Sequence, residues 1–464
     1  MRPVDVGGQG ALGQGRSMTT QANQPDSPPS WLFPLGVSLA LLATFVASVV
    51  SLTGLYADGA NYFLEIIASR TWFHPSPFRV GATSLTQLPV LAALALGSGS
   101  ISVLAALQTA GLIAIPTLCY MATTWLTRTS TLGAIANTVV ICCVYYPTAF
   151  ESVGEFHLLY ALFWLSSVIA VSLPRPGWLG VAVLALSAVV MPLSYELGIV
   201  TGPCLALTCL FRAVRFPGGL PRWAWLGLAV ASVACVPVAI AGILTPQDGG
   251  AEAAFASALK HAWKDPTLLG LAAVVLCSAL ACTVRSRRYS AIAFAAAVGV
   301  ALVFGYSALR THADTDLLAL GYQNTQRAQV FPYLLGAFAL LVAAQHPAVK
   351  GGLGARPLWP LLIPIGLVCA LHLSEVAAWR SYMSSFCTDL AGPGAPSGRD
   401  AFLATDGARR FGWNWELPTM SVLLRPSDSH RLISDPSYTG WQPKDRESKA
   451  PLIARFKRSG GLCR

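Results

Sequence analysis

The chain has 464 residues, of which 54% are hydrophobic and 11% charged, with a formal net charge of +10. Apolar runs long enough to cross a hydrocarbon core about 30 Å thick recur along it, which excludes a soluble globular protein. The positive balance does not point to nucleic acid, because the basic residues sit in loops flanking the apolar runs and in the tail beyond residue 379.

Residues 1–30, rich in Gly, Gln, Ser and Pro, read as a disordered cytoplasmic N-terminus. They are too polar and too long for the charged start of a signal peptide, so the first apolar run reads as an uncleaved anchor. Backbone groups in lipid have to be satisfied internally, so the apolar runs are helices. They predict eleven spans, near 31–54, 101–126, 131–148, 157–173, 178–194, 197–211, 223–245, 267–284, 289–308, 329–345 and 357–379. Threaded from the cytoplasm, the inner loops hold Arg128, Arg175, Arg212, Arg215, Arg222, Arg285, Arg287, Arg288, Lys350 and Arg356 and no acid. That is the asymmetry expected of cytoplasmic loops. The acids from Asp58 to Asp316 all fall on the outer side, together with the C-terminus.

Two segments of the first outer loop read as interfacial helices. Residues 60–72 place Tyr62, Phe63, Ile66 and Ile67 on one face, with Glu65 and Arg70 opposite. Residues 82–97 are apolar but short and carry Thr86, Gln87 and Pro89, which suits a helix in or dipping into the outer interface. Between them Pro75 and Pro77 break the helix.

The fold class is therefore an all-α membrane protein. Its parts are a disordered segment over 1–30, a polytopic domain over 31–379 and a small extracytoplasmic C-terminal domain over 380–464. Within the tail, FGWNWELPTMSVLL is apolar enough to pack as a strand or buried turn. Cys387 and Cys463 bracket nearly all of this domain; in an oxidising compartment a bond between them would stabilise it by about 4 kcal/mol, and the alternative is two free thiols.

The first span ends at an acid within YADGANYFLEI, interfacial helices and the Pro-containing QLPVLAAL follow, and a second acidic cluster lies after the third span. Over about residues 31–210 this arrangement resembles the GT-C class of membrane glycosyltransferases. The resemblance implies an extracytoplasmic site and a sugar donor carried on a polyprenyl phosphate. It makes Asp58 the counterpart of the catalytic acid, with Glu151 or Glu155 as the second acid. The chain departs from better-known members in lacking their paired-proline segment after the first loop and in its short tail.

The residues can be weighed beside that resemblance. Glycosyl transfer from a phosphate-linked donor needs a base for the acceptor and cations for the leaving phosphate. Asp58, at a span exit before Gly59, suits the base; the plain alternative is an N-cap of the helix that follows. Glu196 in PLSYEL has almost no loop around it and is held at the mouth of any outer cavity, or is a structural partner of an arginine or Tyr195. Glu155 and His157 stand likewise at a span entrance. Arg79, Arg310, His312 and Arg327 are the candidates for donor phosphate, against a plain role in snorkelling to headgroups. Asp314 and Asp316 form Asp-Thr-Asp, a spacing that holds metal-diphosphate in many soluble sugar transferases and is also common in loops, so no cofactor is certain and a divalent metal is possible.

A transporter or flippase would be expected to carry mid-span charges and broken half-helices related by a repeat, and the spans read as free of both. A polysaccharide polymerase or ligase would need a larger late loop than 309–328, and a non-catalytic envelope-assembly subunit stays open. The expectation is a transferase of a bacterial-type inner membrane, acting on a lipid-linked sugar donor and a cell-envelope glycan, lipid or protein acceptor among membrane lipids.

Overall fold

The computed structural model describes residues 31–149, 155–215, 220–245, 266–314, 329–346, 357–391, 411 and 416–424. Among them every regular element is helical. In chain order the helices are α1 (Leu32–Ser51), α2 (Asp58–Ser69), α3 (Val80–Ala95), α4 (Ile101–Thr127), α5 (Thr131–Ala149), α6 (Glu155–Ser172), α7 (Trp178–Leu193), α8 (Gly198–Arg215), α9 (Arg222–Leu244), α10 (Pro266–Thr283), α11 (Arg287–Asp314), α12 (Phe331–Ala343), α13 (Leu362–Ala391) and α14 (Glu416–Leu424). Eight of these, α1, α4, α5, α6, α9, α10, α11 and α13, are long and apolar enough to cross a membrane. The predicted spans on α7, α8 and α12 fall on helices that are apolar but shorter.

Position in the bundle follows composition. The apolar window of α6 is 89% buried and that of α5 83%, which puts both at the centre; α9 at 22% and α11 at 11% form the rim. The rim turns Val230, Leu302 and Val303 outward, as helices facing lipid do. The centre is joined by polar side chains, because apolar surface alone gives helices in lipid no reason to associate. Asn137 on α5 accepts from Thr123 at 2.7 Å and from the Trp164 indole at 2.8 Å, and donates to Thr124 at 2.8 Å, so α4, α5 and α6 meet in one satisfied network. A five-residue π-helical stretch, Ile141–Tyr145, inside α5 turns Tyr145 toward Thr117 of α4, 3.0 Å away.

The segment expected at 82–97 is α3, which packs on α4 where Gly111 lies so close to the Thr86 carbonyl that a side chain there would collide with it. The segment expected at 60–72 is α2, and its apolar face is indeed Tyr62, Phe63, Ile66 and Ile67. That face does not lie open to lipid: it is buried in a second hydrophobic cluster with Trp379, Tyr382 and Phe386 of α13, together with Phe411, Met420 and Leu423.

Two readings of the tail change. The segment read as a strand or buried turn contains the helix α14, because a nine-residue stretch apolar on most sides buries equally well as helix. The domain boundary at 379/380 falls inside α13, which continues to Ala391 without a break.

Candidate functional site

The site begins where α1 stops. Leu52 adopts the left-handed conformation (φ 59°), and its N–H returns to the carbonyls of Ser48 and Val49, closing the helix. One short turn later Ala57 sits at φ 52° and ψ −127°, a strained backbone for an alanine. Gly59 is pressed against the Gly54 carbonyl, leaving no room for a side chain, so the turn is tied to itself. Asp58 follows as the first residue of α2 and is half-buried. The cap position belongs to Ala57, so Asp58 is not the N-cap weighed above; it stands in the first turn, at the positive end of the helix dipole.

Arg79 gathers the second part. It ends the turn Pro77–Arg79, which Ser76 opens by accepting the Phe78 N–H at 3.3 Å. Gly81 lets this turn lie against the end of α7, where a side chain would strike the Val190 carbonyl. From there the Arg79 Nη1 reaches Glu155 Oε2 at 2.8 Å, while Nη2 and Nε reach Glu196 Oε1 at 2.8 and 3.0 Å. Its guanidinium also lies over the Tyr195 ring, 5.0 Å from the centroid. Glu155 is 3% exposed, and its other oxygen accepts from the Tyr62 hydroxyl at 3.1 Å.

The loop before Arg79 is held as firmly. The Gln87 side chain accepts the Phe73 N–H at 2.9 Å and donates to the Phe73 carbonyl, imitating a backbone pair. Phe73 then meets the Tyr62 ring edge-on at 5.4 Å, and His74 hydrogen-bonds Thr83 at 2.7 Å.

The electrostatics follow from burial and from these charges. Burial, reinforced by the charges of Glu155 and Asp58, pushes the Tyr62 phenol well above its ordinary range and keeps it a neutral donor. Burial alone would weaken the charge on Arg79, but Glu155 and Glu196 overcome it and the guanidinium is held cationic more firmly than usual. Among the described residues one arginine is set against Glu155 and Glu196, with Asp58 acting on Tyr62 beside them.

Of the residues read from the sequence, Arg79, Glu155 and Glu196 are brought together, and Asp58 adjoins them one helical turn from Tyr62. His157 is not with them: it turns into the bundle toward the Thr148 carbonyl and the Tyr145 ring. Arg310, His312 and Asp314 lie on the last turns of α11, without described side chains. Glu151, Asp316, Arg327 and Cys463 lie outside the described residues. No group of three His, Cys, Asp or Glu side chains that could hold a metal ion occurs among the described residues. Cys387 is disulfide-bonded, and the nine other described cysteines are free thiols.

Two features went unread in the sequence. Tyr62 was placed on an apolar face, although its position four residues after Asp58 stacks the two on one side of a helix. The spans were also read as free of charge, whereas α13 buries His372 and Glu375 one turn apart. His372 hydrogen-bonds Ser48 of α1 at 3.0 Å and meets the Tyr146 ring edge-on at 5.7 Å.

Fold and site together define an all-helical, multi-pass membrane protein with a clustered arginine and acids where α1 ends. No family model, curated protein or solved structure matches the chain.

Proposed function

We propose that the protein is a GT-C-like membrane glycosyltransferase that moves a sugar from a polyprenyl-phosphate donor to a cell-envelope acceptor. The observation that carries this reading is the convergence of Glu155 and Glu196 on Arg79, with Asp58 near enough to act on the Tyr62 phenol that donates to Glu155. In this reading α7, α8 and α12 complete eleven spans in a bacterial-type plasma membrane. The N-terminus is cytoplasmic, and the cluster and C-terminus are extracytoplasmic.

Asp58 takes the proton of the acceptor hydroxyl as that oxygen attacks the anomeric carbon and the bond to the phosphate oxygen breaks. Three of the five N–H donors of Arg79 are spent on carboxylates, leaving two for the departing phosphate. Arg310, His312 and Arg327 are its further cations in this proposal, and Asp314 with Asp316 is where a divalent metal would join.

The test is transfer by purified protein across a set of polyprenyl-phosphate sugars. Asp58→Asn keeps shape and lowers turnover by about two to four orders of magnitude if the carboxylate is the base. Wild-type turnover in that variant removes the mechanism.

A second reading, a proton- or ion-coupled transporter or flippase, is favoured by the buried His372 and Glu375 in the last span, since ionisable groups at such depth commonly mark translocation paths. Flux into proteoliposomes without sugar transfer decides for it.

A further inference from the structure

We propose that the C-terminal segment is a clamp that positions Asp58, with Phe411 and Thr419 as its two positioning residues. The role assigned to Asp58 rests on the glycosyltransferase reading; the clamp itself rests on contacts.

The segment touches α2 and its approach on both sides of Asp58. On the near side, the Tyr56 ring is boxed edge-on by Trp379 at 5.7 Å and Phe411 at 6.3 Å. Phe411 also packs on Trp379 and Tyr382, each at 5.6 Å, and is fully buried. Trp379 is itself fixed to the end of α1, since its indole N–H donates to the Ser51 carbonyl at 2.9 Å. On the far side, the Thr419 hydroxyl of α14 donates to Asn61 Oδ1 at 2.7 Å, while Met420, Leu423 and Leu424 enter the same apolar cluster as Ile66 and Ile67.

The need for a clamp is visible in the backbone. Ala57 occupies a conformation that costs about 1–3 kcal/mol and persists only when its surroundings over-determine it. The contact between Gly59 and Gly54 fixes the turn from below, and the tail fixes Tyr56 and Asn61 on either side. Asn61 is 4% exposed, and its Nδ2 has no hydrogen-bond partner among the described residues, so removing the Thr419 hydroxyl strands the whole amide.

The experiment uses the full-length protein in nanodiscs, as wild type, Thr419→Val, Thr419→Ser and Phe411→Ala. Amide hydrogen exchange over residues 57–64 and the kinetics of sugar transfer are both measured. Loss of one buried hydrogen bond frees the first turn of α2 enough to raise its exchange by about tenfold in Thr419→Val, with Thr419→Ser restored to wild type. Phe411→Ala raises it as well. In the kinetics the two disruptive variants lower kcat with KM unchanged, because substrate binding is kept and the acid is misplaced. Unchanged exchange over 57–64 in both disruptive variants overturns the clamp. Raised exchange with unchanged kcat in an active enzyme overturns the positioning of Asp58. A wild type that transfers no sugar strikes the transferase reading alone, and the exchange result still decides whether the tail clamps α2.

Discussion

Replacing Arg79 by methionine removes the one cation described between Glu155 and Glu196 while keeping most of the apolar stem. The cost divides between two arms of different burial. The side chains of Arg79 and Glu155 are 22% and 4% exposed, so this arm is close to a buried pair, and breaking one leaves a charge uncompensated at about 3–5 kcal/mol. The Tyr62 hydroxyl still donates to Glu155 and holds the loss to the low end of that range. Glu196 is 20% exposed and in reach of water, so its arm adds about 0–1 kcal/mol. The expected total is about 3 kcal/mol, read as reduced resistance to unfolding in detergent. Most of this is the penalty of a buried Glu155 carboxylate that has lost its arginine, so Arg79→Met combined with Glu155→Gln is less damaged than the sum of the single variants, with a coupling of about 2 kcal/mol. Glu196→Gln on the same background recovers little. Strict additivity of Arg79→Met and Glu155→Gln refutes the buried pair, and with it the account of how the cluster is held.

Other outcomes follow from the same geometry. The raised Tyr62 phenol means that the folded state favours the neutral form, so its contribution is intact below pH 10 and is lost as pH climbs from there toward the raised value; Tyr62→Phe removes its share of the alkaline loss of stability. His74 has the opposite sign: burial lowers it from 6.5, so its contribution is present above that value and is lost as pH falls below it, and a flatter acid limb in His74→Gln checks this. Asn137→Leu strands the Trp164 indole in the bundle centre, while Thr123 and Thr124 keep the Tyr120 carbonyl, and costs about 1–3 kcal/mol, measured by the same unfolding assay. Reporter fusions at Arg215 and Arg287 are expected to read cytoplasmic, and fusions after Trp379 extracytoplasmic; a cytoplasmic C-terminus overturns the count of eleven spans.

The helices were legible because lipid leaves the chain so few choices: an apolar run of sufficient length has to be a helix, and its limits follow from charge and proline. The candidate positions were legible for a related reason, since Asp58, Arg79, Glu155 and Glu196 all stand at the ends of apolar runs, where a charge cannot be an accident of core packing. Their pairing was not legible. Arg79 lies 76 residues from Glu155 and 117 from Glu196, and nothing in local pattern selects those partners over other acids near span ends. The tail failed for a different reason. Nine apolar residues carry too short a period to separate helix from strand, and what decides is Thr419 finding Asn61, a contact made across 358 residues. His372 and Glu375 were lost to averaging, because α13 is so apolar over its length that one acid and one histidine do not disturb it.

The sign of the cluster constrains any substrate. Among the described residues two acids flank one arginine, so in the proposed transfer a phosphate would be held there through the N–H groups of Arg79 that the carboxylates leave over or through cations brought by other parts of the chain. A hydroxyl-rich acceptor needs no such cation, since carboxylates take hydrogen bonds from sugar hydroxyls without a charge penalty. In the proposed transfer the acceptor would therefore bind on the side of Tyr62 and the half-buried Asp58, and the donor on the Arg79 side. Tyr62 stands between them, with its hydroxyl on Glu155 and its ring on Phe73. On that division Tyr62→Phe weakens the link between the halves without altering the charge of either. A transferase so built loses turnover in this variant while keeping its affinity for each substrate measured alone, whereas a transporter has no reason to separate the two.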